Sequence, residues 1–412
     1  MPQDGSDTLV HSVSSDGTVA NCRRKPLQAA IGPERSPAPV GRGIEMTLLE
    51  VENLAVTYEE QDGPVHSVNS VSFSIEEGDN LAFLREPTSG KSTIAKAILG
   101  LLPENAQVEA DRVEFDGRDL RSLTAADRRD FLWEEVAFIP QMAVNALDPV
   151  MTVGSQIRQT IQTHREVTTE SARQRTRELF ETVGPDPDRV DDYPHEFSDG
   201  MRQRIVITMA LALEPKLIVA DEPMTGLDVI VQDKIVDKLL EIQDEIDSSM
   251  LLITHDVGVV AETCDDVSVL YGGKVIEQSE TDDVFDRPTN PYTMGLKNAF
   301  PEVGEFDQQA ISIPGSLPDL TEEPTGCVFR NRCPFATEEC EQSHPPLAEN
   351  GDQLSACYYT DEADEMRAAA ADPETCGVDT GEDREAALEA GDVILGTDNL
   401  EKWFEHRNRS ST

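Results

Sequence analysis

The sequence predicts an α/β fold built around a largely parallel sheet. From Leu48 onward, short apolar runs alternate with stretches of helical periodicity, which is the pattern of strands joined by crossover helices. Three of the runs are almost entirely apolar, as expected for strands buried on both faces. These runs are Asn80–Leu84, Lys216–Ala220 and Met250–Thr254, and a helix is predicted over Ser92–Leu102, after the first of them.

A chain of 412 residues is long enough for two or three domains. Residues 1–45, rich in Ser, Pro, Gly and Asp, are expected to be either a disordered extension or a stretch upstream of the true start. Residues 46–287 form the main domain, with an inserted helical subdomain over about 103–200. A Pro-rich, cysteine-containing domain is expected over 288–360, and an acidic mobile tail with one helix near Ala386 over 361–412.

The charge of the chain argues against a nucleic-acid-binding surface. Asp and Glu number 80 against 34 Lys and Arg, for a formal net charge of −46, whereas phosphate recognition needs a basic face. The acidic excess runs along the body of the chain as well as its tail, which is typical of halophilic archaea, where molar salt screens self-repulsion. No stretch approaches the roughly 20 apolar residues of a membrane span, so any membrane role is expected to be peripheral.

A candidate phosphate-binding loop follows the strand Asn80–Leu84. It ends in Gly-Lys-Ser at the start of the predicted helix, where backbone N–H groups and the helix dipole attract phosphate. In such a loop the lysine reaches the β/γ oxygens and the serine hydroxyl binds Mg²⁺. An ordinary strand–helix turn remains the alternative for this segment alone. The candidate nucleotide-binding residues here are Arg85, Thr88, Ser89, Gly90, Lys91, Ser92 and Thr93.

A second apolar strand ends in two carboxylates, Asp221 and Glu222. At the end of a buried strand, the first can enter the Mg²⁺ shell and the second can polarise an attacking water.

Three further segments complete an ordered set. They are Phe197-Ser198-Asp199-Gly200-Met201-Arg202-Gln203-Arg204, Gly226-Leu227-Asp228 and Thr254-His255-Asp256. Together with the loop and the carboxylate strand, they resemble the nucleotide-binding subunit of an ABC transporter. The resemblance runs from about Leu48 to Tyr359.

Other segments narrow the resemblance to the oligopeptide/dipeptide (and nickel) importer branch. They are Gly63–Val68, Leu147–Gly154, Asp192–Phe197, Asn290–Thr293 and Ile313–Ser316. The resemblance implies a P-loop (RecA-like) ABC ATPase core with an inserted helical subdomain and a small C-terminal cysteine-containing domain. It also implies ATP and Mg²⁺ as cofactors, with hydrolysis coupled to solute uptake.

The resemblance also implies roles for single residues. Tyr58 would stack on adenine, Gln141 would touch Mg²⁺, and His255 would contact the γ-phosphate. Two chains would close face to face, each ATP lying between the P-loop of one chain and the signature helix of the other. The signature residues Ser198, Gly200 and Gln203 would then meet the partner's nucleotide, and Asp228 would lie in the loop that crosses the interface.

The partners implied by the resemblance are two transmembrane permease subunits, a second ABC ATPase subunit and an extracellular solute-binding protein. The permease coupling helices would dock around Gln141–Gln156. The chain would therefore be held peripherally at the cytoplasmic face of the cell membrane. Peptide, nickel or another solute stays open as the cargo.

The chain departs from the family pattern on both sides of the expected nucleotide sandwich. Arg85, Pro87 and Thr88 stand where small loop residues are usual, and Asp199 stands where the signature has glycine. Two unit charges about 5 Å apart at an effective dielectric of 20 repel by roughly 3 kcal/mol. Two hypotheses follow: an active ATPase subunit, or a weak ATP-binding half of an asymmetric heterodimer.

Four cysteines cluster in the Pro-rich region, at Cys327, Cys333, Cys340 and Cys357. Thiolates at such intervals can converge on zinc or on an iron–sulfur cluster, and some members of the resembling branch are thought to hold a [4Fe–4S] cluster. Unligated or disulfide-linked cysteines are the alternative. Two other functions stay open: a soluble ABC ATPase of DNA repair or translation, which the single cassette without heptads disfavours, and a non-catalytic regulator that uses the cysteines as a redox sensor.

Overall fold

In the computed structural model, the residues described are 47–61, 63–84, 92–141, 146–224, 229–299, 311–321, 325–372 and 375. Within them the strands are β1 Thr47–Glu60, β2 Gly63–Glu76, β3 Asn80–Leu84, β4 Ala106–Glu109, β5 Arg112–Phe115, β6 Arg118–Asp119, β7 Val136–Ile139, β8 Leu217–Asp221, β9 Ser249–Thr254, β10 Asp266–Tyr271, β11 Lys274–Glu280, β12 Ala348–Asn350 and β13 Gln353–Ser355.

The helices of the described residues are α1 Thr93–Leu99, α2 Ala125–Glu134, α3 Val153–His164, α4 Thr169–Thr182, α5 Asp199–Ala210, α6 Val229–Ile246, α7 Val257–Thr263, α8 Thr281–Asp286, α9 Pro291–Ala299, α10 Glu338–Gln342 and α11 Ala363–Ala370. None of them combines the length and the apolarity needed to cross a bilayer.

The strands form two sheets. The first has the order β2-β1-β5-β6, with β4 also paired to β1, and it is antiparallel. The second has the order β12-β13-β11-β10-β3-β9-β8-β7. Its five strands β10, β3, β9, β8 and β7 run parallel, which confirms the predicted α/β class.

Side-chain alternation along β3 divides the protein into two cores. Leu81 and Phe83 pack toward the first sheet and α1. Ala82 and Leu84 pack toward the other face, with the buried residues of α3, α4 and α5. Because both faces of β3 are covered, all five of its residues are buried, which is why this strand is a continuous apolar run.

The prediction of a helical insertion over about 103–200 is wrong for part of its N-terminal portion, which contains four strands. Residues 106–119 form β4, β5 and β6, and residues 136–139 form β7 of the central sheet. The antiparallel strands β4 and β6 carry few apolar residues because they are largely exposed, and β4 buries none of its four residues. In contrast, β7 is wholly apolar because it lies in the central sheet. Within the expected insertion, α3, α4 and the start of α5 make residues 153–200 mainly helical.

The C-terminal region extends the central sheet. Ser355 of β13 pairs with Glu277 of β11, and β12 pairs with β13. The mobile tail predicted from residue 361 is wrong at its start, since α11 buries Ala363, Met366 and Ala370, in a cluster with Met294 of α9. The predicted extension 1–45 and the helix near Ala386 lie outside the described residues.

Candidate functional site

The central sheet brings the predicted site residues to one edge. Ser92 follows β3, Gln141 follows β7, Asp221 ends β8 and His255 follows β9. Because these strands are parallel, their carboxyl ends meet at the same edge of the sheet, which is where ligands bind in open α/β folds.

Ser92 and Asp221 are in direct contact at this edge. Asp221 is 1% exposed, and the hydroxyl Oγ of Ser92 donates a hydrogen bond to its Oδ2. A hydroxyl and a carboxylate are oxygen ligands of the kind Mg²⁺ prefers. Two of the three residues predicted as magnesium ligands, Ser92 and Asp221, are therefore side by side.

Glu222 lies at the adjacent position, in an unusual backbone conformation. Its φ is 50°, in the left-handed region that side chains other than glycine and asparagine seldom adopt. Its N–H donates to the carbonyl of Ile253 at 2.8 Å, which ties the turn after β8 to β9. The carboxylate Oε1 lies 2.8 Å from Nδ1 of His255, so β8 and β9 hold these two groups together.

Tyr58 stands at a second part of the site, on β1. Its hydroxyl lies 3.2 Å from Oγ1 of Thr93, at the start of α1, and the same Thr93 oxygen lies 3.2 Å from Oγ of Ser67 on β2. Thr93 and Ser67 are buried. This chain of hydroxyls joins the first sheet to the helix that follows the candidate phosphate loop.

The predicted signature helix is α5. Ser198 is its N-cap and accepts a hydrogen bond from the N–H of Met201 at 3.4 Å, while Gly200 lies in its first turn. Asp199, whose side chain is 72% exposed, is ion-paired with Arg202 one turn later. The carboxylate that the sequence places near the expected nucleotide is thus matched by a cation of its own helix.

Gln203, predicted as a nucleotide contact, is a buried residue of α5. Gln203 is 4% exposed, and its amide Nε2 donates to the carbonyl of Pro223 at 2.6 Å. The helical period turns this side chain inward, so that it ties α5 to the segment that follows Glu222.

Gln141 is exposed at the end of β7, beside the site edge. The other predicted nucleotide-binding residues lie outside the described residues: Arg85, Thr88, Ser89, Gly90, Lys91 and Asp228. Two described residues of the site, Ser67 and Arg202, were not predicted. Ser67 carries no signal in a single sequence. Arg202 could have been predicted to pair with Asp199 from their i,i+3 spacing on a helix.

The four clustered cysteines line one pocket. They are free thiols, and burial raises the pKa of Cys333 to about 12 and that of Cys357 to about 11, because the thiolate loses its solvation. Among the described residues, no three His, Cys, Asp or Glu side chains are placed to hold one metal ion.

Comparison with known proteins agrees with this geometry. Residues 68–225 match the family model of the ABC transporter, and residues 276–340 match that of the oligopeptide/dipeptide transporter C-terminal region. The chain is 39% identical over 317 residues to the dipeptide transport ATP-binding protein DppD of Escherichia coli (strain K12), covering 76% of this chain and 97% of that protein. It is 40% identical over 304 residues to the oligopeptide transport ATP-binding protein OppD of Bacillus subtilis (strain 168), covering 73% and 85%.

Solved structures show the same fold. The dimeric structure of MJ0796, a bacterial ABC transporter cassette, superposes with a TM-score of 0.53 at 23% identity, covering 57% of this chain and 99% of that one. The structure of cbiO1 from Clostridium perfringens, part of the ABC transporter complex cbiONQ, gives 0.50 at 27% identity, covering 59% and 92%. The chain therefore belongs to the ABC transporter family of ATP-binding proteins, in the branch that carries the oligopeptide/dipeptide transporter C-terminal region.

Proposed function

We propose that this chain is the ATP-hydrolysing subunit of a peptide importer. The observation that carries the proposal is the pair of contacts at the end of β8: Ser92 on Asp221, and His255 on Glu222. The first pair offers oxygen ligands to Mg²⁺, and the second offers a carboxylate base held in place by an imidazole. The relatives named for dipeptide and oligopeptide transport supply the class of cargo.

In the proposed reaction, Ser92 and Asp221 would hold Mg²⁺, which would neutralise charge on the phosphates of ATP, and Gln141 would approach from β7. Glu222 accepts a proton from the attacking water as its oxygen bonds to the γ-phosphorus, while ADP leaves with the electron pair of the broken P–O bond. Tyr58 stacks on the base. Ser198 and Gly200, at the N-terminus of α5, cap the nucleotide bound by a second ATP-binding chain.

We infer that the site keeps its activity despite the unusual signature. Asp199 would repel the phosphates of a facing nucleotide, but its ion pair with Arg202 offsets that charge. This contact favours the active subunit over the weak half of an asymmetric heterodimer.

The partners proposed for this chain are a second ATP-binding subunit, two transmembrane permeases and an extracellular solute-binding protein. Exposed Gln141 and the segment that leads to α3 would meet the permeases, so that the chain sits peripherally at the cytoplasmic membrane face. Val150, in that segment, is 78% exposed. Co-purification with membrane-spanning chains separates this proposal from a soluble ABC ATPase or a regulator.

We also propose that the pocket of Cys327, Cys333, Cys340 and Cys357 holds a [4Fe–4S] cluster. Each thiolate of such a cluster binds a different iron atom, so its sulfurs stand farther apart than the ligands of a single zinc ion. The pocket is lined by four thiols, which is the number of ligands that such a cluster needs. Iron and acid-labile sulfide in the anaerobically purified protein, lost in Cys333→Ser and kept in Cys264→Ser, would support it; neither element in the wild type would contradict it.

The ATPase proposal is tested by substitution of Glu222. Glu222→Gln should lower steady-state phosphate release by about 10² to 10⁴-fold while calorimetry still detects Mg·ATP binding. Glu245→Gln, at an exposed position of α6, is the matched control and should leave the rate unchanged. Assays of the chain with its partner subunit in concentrated KCl give the relevant rate. An unchanged rate in Glu222→Gln would overturn the proposed catalytic role.

A further inference from the structure

The C-terminal region reaches back to the edge of the first sheet. β2 is an edge strand of that sheet, and the N–H of His66 on β2 donates to the carbonyl of Leu320 at 2.8 Å. An edge strand otherwise presents such a group to solvent. Residues 311–321, here called the strap, therefore satisfy a backbone donor of the strand that borders Tyr58.

The strap is held at its other end by Arg332. This side chain is 8% exposed, and its guanidinium donates to the carbonyls of Pro314 and Ile313 at 2.8 and 3.2 Å. It also donates to the hydroxyl of Tyr271, at the end of β10. Gly315 has φ +83°, and a Cβ there would lie 3.1 Å from Cγ of Arg332. The left-handed backbone favours glycine at this position, and the close approach leaves little room for a larger residue.

The residue before Leu320 shapes the strap where it meets β2. Asp319 Oδ1 accepts hydrogen bonds from the N–H of Thr321 at 2.9 Å and from its Oγ1 at 2.7 Å. This closes a local turn around the Leu320 carbonyl. The acceptor offered to His66 is therefore held in a fixed direction.

The part of β2 that the strap contacts is the part that supports Tyr58. In the β1–β2 register, Val65 faces Tyr58 and His66 faces Thr57. Nδ1 of His66 lies 3.3 Å from Oγ1 of Thr57, and the next residue, Ser67, contacts the Thr93 hydroxyl that also contacts Tyr58. Movement of residues 65–67 would therefore shift the strand that pairs with β1 at Tyr58. It would also shift the Ser67 hydroxyl, which contacts the Thr93 hydroxyl hydrogen-bonded to Tyr58.

We propose that the strap is a positioning element for nucleobase recognition: the Leu320 carbonyl, by holding the His66 N–H, fixes the orientation of Tyr58. The inference rests on the proposed function, in which Tyr58 stacks on the base. The C-terminal region thereby contributes to ATP affinity through the base end of the site.

Two substitutions at one position isolate the contact. His66→Pro removes the N–H and the imidazole, and proline is tolerated on an edge strand where its missing donor faces away from the ladder. His66→Ala removes the imidazole alone. The full-length chain would be titrated by calorimetry with Mg·ATP and, separately, with magnesium tripolyphosphate, which has no base.

The expected result is a Kd for Mg·ATP in His66→Pro that is about two- to tenfold higher than in His66→Ala, the range of a weakened aromatic stacking contact. Tripolyphosphate should bind both variants equally, since a merely destabilised protein would lose both ligands. Asp319→Ala removes the hydrogen bonds that hold the turn around Leu320, and it should likewise weaken the binding of ATP but not that of tripolyphosphate. This variant decides the question if His66→Pro does not fold.

Equal ATP affinities in His66→Pro and His66→Ala, or unchanged ATP affinity in Asp319→Ala, would overturn the inference and leave the proposed function intact. Parallel loss of ATP and tripolyphosphate would also overturn it. Failure of the wild-type chain to bind Mg·ATP would instead count against the proposed function.

Discussion

Nδ1 of His255 lies 2.8 Å from Oε1 of Glu222, and the two side chains differ sharply in exposure, at 44% and 2%. The carboxylate is an acceptor when ionised, so Nδ1 carries the proton and leaves Nε2 as an acceptor in the neutral ring. A buried carboxylate is thus hydrogen-bonded by an imidazole that is itself partly exposed at the site.

His255 is predicted to position Glu222 for the attack of water. His255→Ala should lower kcat for ATP hydrolysis by about a hundredfold, with little change in the Kd of Mg·ATP, because the base loses its orienting donor. His255→Gln should recover part of the rate, since its amide can still donate to the carboxylate. Phosphate release and calorimetry in concentrated KCl give the two quantities. Equal rates in the alanine variant and the wild type would exclude this role.

The parallel strands of the core were predictable because they are continuous apolar runs. β3 was predicted with its observed bounds, and β8 and β9 within one residue. Their polar ends, Asp221 and His255, were predicted from position and from the family resemblance together. The positions of Asp221 and His255 at the sheet edge could be predicted from local sequence, because one ends a buried strand and the other directly follows one.

The first sheet and the C-terminal additions were not predictable in the same way. Three of the four residues of β4 are exposed and none is buried. The strand therefore lacks the alternation of apolar and polar residues by which a strand is predicted. The pairing of β13 with β11, the contact of Leu320 with His66 and the hydroxyl chain through Ser67 join residues far apart in sequence. Nothing in the local composition of a single sequence specifies such contacts.

The ion pair between Asp199 and Arg202 is predicted to permit ATP-dependent association of two ATP-binding chains, by offsetting the charge of the Asp199 carboxylate. Arg202→Gln should weaken ATP-dependent association with the second ATP-binding chain, because it leaves the Asp199 carboxylate facing the phosphates. The defect should grow as salt is lowered, since screening then weakens. Light scattering or sedimentation of the Glu222→Gln background with Mg·ATP measures association.

A double variant provides the control for that pair. Asp199→Gly added to Arg202→Gln should restore association, because the repulsive charge is gone. If the double variant associates no better than Arg202→Gln alone, the arginine acts by another route. If Arg202→Gln associates like the parent at every salt concentration, the ion pair has no part in closure.

The folded state is predicted to require concentrated salt. A formal charge of −46 opposes compaction, and ionic strength near 1 M shortens the screening length to about 3 Å. Circular dichroism should show cooperative loss of structure as KCl is removed, and Tm should rise with KCl. Sucrose at matched osmolality is the control and should stabilise the chain much less. A native spectrum in dilute buffer would contradict the prediction.

His344 is predicted to make the C-terminal region sensitive to acid. Burial lowers the pKa of His344 to about 4 from its usual 6.5, and its Nδ1 has no hydrogen-bond partner among the described residues. Between these two values the unfolded chain binds the proton that the folded chain excludes, so the free energy of unfolding falls as pH decreases from 6.5 toward 4. His344→Asn cannot be protonated and should lose less stability than the wild type over that interval. Tm at fixed KCl, measured at pH 7 and at about pH 4.5, gives the difference for each protein. His195→Asn, at an exposed position, should follow the wild type, and an equal loss in all three proteins would show that His344 is not the group responsible.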